Sequence, residues 1–227
     1  MLELFIGDKN YSTWSMRPWL VARHFEIPFQ THVIAFDHFE PDSQFKKKIL
    51  QINPTGKVPA LVDDGFLIWD SLAICEYLAE KFPERNLYPI DPKQRARARS
   101  ISAEMHSGFM TLRSLCGMNL NADLAEIGAR LWQKNPQLQQ DIKRIEQLWS
   151  ERPSIDSFLC GESFSIADAF YAPVVMRFVG YGIPVSESSQ RYMQTILALP
   201  AVQQWIAEAK MEFRFVACEE QYRTQAE

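Results

Sequence analysis

The 227-residue sequence lacks several features that point directly to a membrane, a nucleic acid or a secretory route. No apolar run approaches the roughly 20 residues that a membrane-spanning helix needs, and Glu3 and Asp8 interrupt the N-terminus where a signal segment would lie. We therefore expect a cytoplasmic protein with no membrane partner. The basic residues form no sustained block and the formal net charge is -4, so the composition argues against a nucleic-acid partner.

Cysteine is scarce and scattered along the chain. The four cysteines are Cys75, Cys116, Cys160 and Cys218, and they include no C-x-x-C pair. This spacing argues against a zinc site and against a dithiol redox centre. We expect no bound metal, and we expect most of these thiols to be buried and reduced.

What is present is an apolar fraction of 47%, enough to fill a large core, in a pattern that changes along the chain. The apolar spacing predicts strands at 2–6, at 31–36 and as a pair within 58–69, and helices at 15–26, 42–52 and 71–81. The dipeptide Asp64-Gly65 between the last two strands is a strong hairpin signal. Residues 1–81 therefore predict an α/β domain of order β-α-β-α-β-β-α.

The remainder of the chain is predicted to be helical. Segment 82–92 has three prolines and no periodicity, which indicates a linker. Residues 93–227 follow as an all-α domain, with helices expected at 93–119, 123–134, 137–151, 165–179, 188–198 and 201–211. Ser165 and Asp168 have the S-x-x-D spacing of a helix capping box, so we assign them a role in folding.

The stretch "FIGDKNYSTWSMRPWL", residues 5–20, places hydroxyl groups between a strand and a helix. Ser and Thr are preferred helix N-caps, which would explain them without any ligand. One hydroxyl could instead face a ligand above the helix N-terminus, where negative charge is favoured. Tyr11, Ser12, Thr13 and Ser15 are all candidates for such a donor, and Ser15 ranks below Ser12 because it is the more natural N-cap.

Two later motifs also allow a ligand. In "NPTGKVPALVDDG", Pro59 is either an ordinary edge-strand proline or the second residue of a cis Val58-Pro59 bond. A cis bond would turn the Val58 backbone outward to pair with a peptide-like ligand. In "DSLAICEYL", Asp70 and Ser71 either cap a helix or meet the ammonium and carboxylate of an α-amino acid.

Together with "YSTWSMRPWL" and "ESFSIADAFYAP", these motifs resemble the cytosolic glutathione transferase family across nearly the whole chain. The resemblance implies a thioredoxin-like N-terminal domain, an all-helical C-terminal domain, a homodimer and glutathione as co-substrate. It implies that Lys57, Val58, Asp70 and Ser71 bind glutathione and that Ser12 donates a hydrogen bond to its sulfur. Lys57 departs from the usual Gln of the beta-like and zeta-like classes. Beta-like enzymes have Cys at the position of Ser12.

The electrophile is expected to contact residues from both domains. The spacing of 106, 109, 110 and 113 puts these residues on one face of the predicted helix, where Met110 is expected to be core. A histidine that faces the cleft in beta-like enzymes matches His106. Zeta-like enzymes have an arginine near Arg177 that holds an acidic substrate, although surface snorkelling would also explain this residue. The assigned electrophile-side residues are Trp14, His106, Phe109, Arg113 and Arg177.

The resemblance implies a transferase that ionises glutathione and adds its sulfur to a small hydrophobic electrophile in detoxification. One alternative is a zeta-like cis-trans isomerase of the maleylacetoacetate type, although that class needs two serines and a cysteine in the opening loop, a signature that "NYSTWSM" does not supply. Another alternative is a non-catalytic glutathione-binding or regulatory protein. A thiol oxidoreductase is disfavoured because the loop contains no cysteine.

Overall fold

A four-stranded mixed sheet forms the N-terminal part of the structure, a computed structural model that describes residues 1–224. The strands are β1 (Leu2–Ile6), β2 (Phe29–Val33), β3 (Ala60–Asp63) and β4 (Phe66–Ile68), in the order β2-β1-β3-β4. β2 runs parallel to β1, whereas β3 and β4 are antiparallel to their neighbours. Parallel pairing requires a crossover, which helix α1 (Thr13–His24) supplies.

Helices α2 (Gln44–Ile49) and α3 (Ser71–Lys81) complete the predicted order β-α-β-α-β-β-α. Asp64 and Gly65 form the tight turn between β3 and β4 with φ values of 47° and 87°. Positive φ at both central positions is what a type I′ hairpin turn requires. The α/β prediction is confirmed, although α1 begins two residues earlier and β2 ends three residues earlier than predicted.

The C-terminal part is helical in its described residues. Its helices are α4 (Pro92–Ser107), α5 (Met110–Leu115), α6 (Ala125–Lys134), α7 (Pro136–Ser150), α8 (Ile166–Gly180), α9 (Glu187–Leu197) and α10 (Pro200–Lys210). The single helix predicted at 93–119 is wrong, because Gly108 and Phe109 interrupt it and Phe109 has a φ of 54°. Residues 225–227, the end of the predicted helical domain, lie outside the described residues.

The two parts pack against each other through α8, which contacts both α1 and α4. Nearly every side chain of α8 is buried, including those of Asp168 and Arg177, as expected of a core helix. Trp19 of α1 and Trp205 of α10 meet edge to face, with ring centroids 5.2 Å apart. No helix within residues 1–224 combines the length and apolar character needed to span a membrane.

The predicted capping box at the start of α8 is confirmed. The Asp168 carboxylate is fully buried and accepts hydrogen bonds from the N–H and hydroxyl of Ser165, the N–H of Leu159 and the hydroxyl of Tyr192. Burial raises the pKa of Asp168 to about 6, against the opposing effect of these donors. All of its partners are structural, which fits a role in folding.

The segment after α10 crosses back over the N-terminal part, and we call residues 212–223 the C-terminal strap. Arg214 of the strap pairs with Asp8 at the end of β1. Val216 is buried in a second core cluster that contains Tyr11, Phe36 and other residues of the N-terminal part. The strap therefore closes over the loop between β1 and α1.

Candidate active site

The loop between β1 and α1 brings two serine hydroxyls together. The Oγ atoms of Ser12 and Ser15 lie 2.7 Å apart, and the Gly7 N–H donates to Ser15 Oγ at 3.2 Å. The expectation that Ser15 is the helix N-cap is wrong. Helix α1 starts at Thr13, so Ser12 occupies the N-cap position and Ser15 is a fully buried residue of the first turn.

The other hydroxyls of this loop differ in what they contact. Tyr11 donates to Glu220 Oε1 at 2.6 Å and lies 3.1 Å from the Arg214 carbonyl oxygen. Burial raises the pKa of Tyr11 to about 12, so the phenol is protonated and engaged with the strap. The Thr13 side chain makes no hydrogen bond within residues 1–224. Ser12 and Thr13 are therefore the hydroxyls available to a ligand.

Two adjoining cavities lie beside this loop. The first, about 540 Å³, extends from Ser12 and Thr13 towards the strap residues Glu219 and Gln221. Its apolar lining includes Phe36, Phe39, Phe45, Met110 and Met118. Its basic lining consists of Lys46, Lys57, Arg113 and Arg177.

The second cavity, about 400 Å³, lies between β3, the start of α3 and the end of α4. It contains all four residues that are expected to bind glutathione. Its lining residues are Trp14, Asn53, Thr55, Lys57, Val58, Pro59, Trp69, Asp70, Ser71, His106 and Arg113. Four of these, Trp14, Lys57, Val58 and Arg113, also line the first cavity, so the two cavities adjoin, and we call them together the cleft.

The polar groups of the second cavity suit a zwitterionic peptide. The Val58-Pro59 bond is cis, and the Val58 N–H and C=O have no hydrogen-bond partner among the described residues. Ser71 Oγ is buried and also lacks a partner in the described part of the chain. Asp70 caps α3 through Oδ1, 3.0 Å from the Leu72 nitrogen, while its Oδ2 lies 3.0 Å from His106 Nε2. Asp70 is thus both a helix cap and an anionic group in the cavity.

Trp14 lines both cavities, and its ring contacts two guanidinium groups. Its ring lies 3.9 Å from the Arg17 guanidinium and 4.6 Å from that of Arg113, and His106 meets it edge to face at 5.2 Å. Arg17 is buried, and its Nε and Nη1 have no hydrogen-bond partner in residues 1–224. Burial, together with Arg177 and Arg113, lowers the pKa of Arg17 to about 9, so the guanidinium still carries its charge near neutral pH.

Two neighbouring residues, Phe109 and Met110, differ from expectation. Phe109 is buried in the main core and lines neither cavity, so its predicted contact with the substrate is not supported. Met110, expected in the core, is 61% exposed and lines the first cavity. The break at Gly108 changes the direction in which the following side chains point, because helical spacing does not continue through a residue of positive φ.

The arginines of the helical part hold the cleft together as well as lining it. Arg113 donates to the Gly108 carbonyl at 3.2 Å, at the end of α4. Arg177 is 7% exposed and donates to the backbone carbonyls of Arg113 and Cys116, so the snorkelling alternative is wrong. The contribution of the C-terminal strap was missed from the sequence, because residues 212–223 show no helical period. Their mixture of aromatic and charged residues was the available signal.

Among residues 1–224, no group of three or more His, Cys, Asp or Glu side chains could hold a metal ion. The described cysteines are free, with Cys75, Cys116 and Cys160 buried and Cys218 exposed, which confirms the expectation for most of the thiols. Burial raises the pKa of all four thiols, so none is an activated nucleophile.

Comparison with known proteins identifies relatives for both parts of the chain. The family model "Glutathione S-transferase, N-terminal domain" matches residues 11–81, and "Glutathione S-transferase, C-terminal domain" matches residues 125–208. The "Probable maleylacetoacetate isomerase" of Caenorhabditis elegans is 29% identical over 85% of this chain and 87% of that protein. The "Maleylacetoacetate isomerase" of Rattus norvegicus is 31% identical over 70% of this chain and 72% of that protein.

A bacterial relative and the solved structures agree with these matches. "Glutathione S-transferase GstA" of Escherichia coli O157:H7 is 30% identical over 67% of this chain and 73% of that protein. The structure of a glutathione transferase homologue from Burkholderia GL BGR1 with bound glutathione covers 92% of this chain and 98% of its own, at 24% identity and a TM-score of 0.69. It shares the two-part fold described above. The chain therefore belongs to the glutathione S-transferase family.

Proposed function

We propose that the protein binds glutathione in the second cavity, ionises its thiol beside Ser12 and transfers the sulfur to a small electrophile in the first cavity. The observation that carries this proposal is that the two cavities adjoin. Trp14, Lys57, Val58 and Arg113 line both, so a peptide held by Val58 can reach the first cavity with its cysteinyl side chain.

The groups of the second cavity match the parts of glutathione. The free N–H and C=O of Val58 can pair with the cysteinyl backbone as an added strand. The buried Ser71 hydroxyl, which lacks a partner within residues 1–224, and the N-terminus of α3 favour the γ-glutamyl carboxylate. Asp70 offers its charge to the γ-glutamyl ammonium, and the Lys57 side chain can approach a glutathione carboxylate.

Ionisation of the thiol follows from the groups beside Ser12. A serine hydroxyl has one proton to donate. In the structure the Ser12 hydroxyl donates to Ser15, and rotation of both hydroxyls on ligand binding would let Ser15 donate to Ser12 and free the Ser12 proton for the sulfur of glutathione, while the Gly7 N–H holds Ser15 in place. The N-terminus of α1 and the nearby guanidinium of Arg113 also favour the thiolate over the thiol.

A direct test is calorimetric titration of glutathione into the wild type and Asp70→Ala, together with turnover of an aryl halide by each. We expect weaker binding in the variant and measurable conjugation by the wild type. Equal affinity in both proteins would remove the proposed γ-glutamyl site. Binding without any turnover would favour a non-catalytic glutathione-binding or regulatory protein.

Cis-trans isomerisation is a second candidate function. The first cavity contains Arg113 and Arg177, which suit an acidic substrate, and two relatives at 29% and 31% identity are named as maleylacetoacetate isomerases. Incubation with a cis-configured unsaturated dicarboxylic acid and a small amount of glutathione separates the two candidates. Formation of the trans acid without loss of glutathione would favour the isomerase.

We also propose that the protein is a cytoplasmic homodimer with a role in detoxification, by analogy with its family. The exposed apolar side chains of Phe66 on β4, Trp69 and Ile90 offer surface that a second copy could cover. Sedimentation at micromolar concentration tests this, and a species of monomer mass alone would contradict it.

A further inference from the structure

The first cavity contains a carboxyl group that has no role in the sulfur transfer proposed above. Glu219, on the C-terminal strap, lines this cavity together with Ser12 and Arg177. Its carboxyl group makes no hydrogen bond or ion pair with any residue of the described part, 1–224. A half-buried acid without a partner is unusual, because burying a polar group without compensation costs free energy.

The strap holds Glu219 in a defined position. The next residue, Glu220, accepts hydrogen bonds from the Tyr11 hydroxyl at 2.6 Å and from Asn119 Nδ2 at 2.9 Å, and it pairs with Arg223. Val216, three residues before Glu219, is buried. Because Val216 and Glu220 anchor the strap before and after Glu219, the Glu219 side chain is held at the wall of the cavity.

The charges around Glu219 are mixed. Burial raises its pKa to about 7, Arg177 of α8 opposes this rise, and the carboxylates of Asp8 and Glu220 add to it. The thiol of Cys218 lies next to it in the chain. The other ionisable groups on the cavity wall are Tyr11, Lys46, Lys57 and Arg113. Near neutral pH, the carboxyl group is therefore present in both its protonated and its ionised form.

We propose that Glu219 is the general acid that protonates α,β-unsaturated carbonyl acceptors when glutathione adds to them in the first cavity. This inference rests on the proposed transferase function and names an acceptor class for it. Glu219 lines the same cavity as Ser12, and a proton donor beside the acceptor is what such an addition needs and what a substitution reaction does not need.

The step balances without a further reactant. The glutathione sulfur forms a bond to the β-carbon of the acceptor, the carbon–carbon π bond breaks, and its electron pair moves into an enolate. The O–H bond of Glu219 then breaks and its proton goes to the enolate, which leaves a thioether and the Glu219 carboxylate. The carboxylate regains from water the proton that the thiol released when it ionised.

The test compares two acceptors in the same protein. Benzylideneacetone, an unsaturated ketone, must gain a proton, whereas chlorodinitrobenzene loses chloride as an anion and needs none. We measure kcat/KM for both and take the ratio of addition to substitution, in which the ionisation of the thiol cancels. Because the acid acts only when protonated, the wild-type ratio should fall as the pH rises through about 7.

Glu219→Gln keeps the size of the side chain and removes the acid. We expect the ratio to drop by about 10-fold or more near pH 7 and to lose its dependence on pH. Glu162→Gln, an exposed glutamate outside both cavities, is the matched control and should keep the wild-type ratio. An unchanged ratio and pH profile in Glu219→Gln would overturn the assignment of Glu219 and leave the proposed transferase function standing. If the wild type converted neither acceptor, the proposed function would fall and the assignment with it.

Discussion

Ser12 and Ser15 share a hydrogen bond at the start of α1, with their hydroxyl oxygens 2.7 Å apart. Ser15 in turn accepts from the buried Gly7 N–H at the end of β1. Residue Gly7 at the end of β1 therefore positions Ser15, and Ser15 positions Ser12. Ser15 contributes to the site through Ser12, although no part of Ser15 lines either cavity.

Replacement of Ser15 by Ala should affect both folding and the bound thiol. The Gly7 N–H would lose its acceptor, which should cost roughly 1 to 3 kcal/mol in the free energy of unfolding. The Ser12 hydroxyl would lose its partner, so the pKa of bound glutathione should rise by roughly half a unit. Urea unfolding and thiolate absorbance measure the two effects. Ser102→Ala is the matched control, because Ser102 is buried with no hydrogen-bond partner within residues 1–224.

Asp70→Asn should separate helix capping from ligand binding. Asn is as good an N-cap as Asp, so the free energy of unfolding should change by less than about 1 kcal/mol. The charge facing the γ-glutamyl ammonium is lost, which should weaken glutathione binding by about 10-fold. Calorimetry and urea unfolding measure these quantities.

Asp91→Asn is the control for this experiment. Asp91 caps α4 with the same geometry, 3.0 Å from the Lys93 nitrogen and 2.8 Å from the Gln94 nitrogen, and it lies outside both cavities. This variant should bind glutathione as the wild type does. A similar loss of affinity in both variants would mean that Asp70 acts only as a cap.

Asp168→Ala should destabilise the protein by about 3 kcal/mol or more, because buried donors of Leu159, Ser165 and Tyr192 lose their acceptor. The loss should be larger near pH 5 than near pH 7. Burial raises the pKa of folded Asp168 to about 6, so the folded protein binds this proton more tightly than the unfolded chain, and wild-type stability falls as the pH rises from about 4 to about 6. Urea unfolding at both pH values measures the difference. A loss that grew with pH would contradict this reasoning.

Tyr11→Phe should loosen the C-terminal strap without affecting the thiol. The phenol donates to Glu220, and its removal should cost roughly 1 kcal/mol in the free energy of unfolding and speed proteolysis of residues 212–223. The pKa of bound glutathione should stay within a few tenths of a unit of the wild-type value, measured by thiolate absorbance. A large rise would instead identify Tyr11 as the donor to the sulfur.

The order of elements was predictable because helix and strand signals are local. Helix α3 follows its Asp70 cap and ends at Lys81 as predicted, since the cap and the helical spacing of apolar residues lie within the same twelve residues. The break at Gly108 was missed because apolar spacing continues across it. As a result, Phe109 was predicted to face the substrate and Met110 to be in the core, whereas the structure shows the reverse. An isolated glycine within a helical pattern did not by itself require an interruption.

The strap and the serine pair could not be predicted from local patterns. Tyr11 and Glu220 are separated by 209 positions in the sequence, and only the packed fold brings them within 2.6 Å. The role of Ser15 depended on a helix start two residues earlier than predicted, together with an N–H from the preceding strand. Both are tertiary contacts, to which helical and strand periodicity are insensitive.

Ser12→Ala offers the most direct measurement of thiol activation at this cleft. Thiolate absorbance of bound glutathione, titrated against pH in the wild type and the variant, gives the pKa of the thiol in each. A charge-assisted hydrogen bond contributes roughly 1.5 to 3 kcal/mol, so the pKa should rise by about one to two units while glutathione affinity changes little. Thr13→Ala should leave the pKa near the wild-type value. The same pKa in the wild type and Ser12→Ala would contradict activation by Ser12, and a rise in Thr13→Ala alone would assign that role to Thr13.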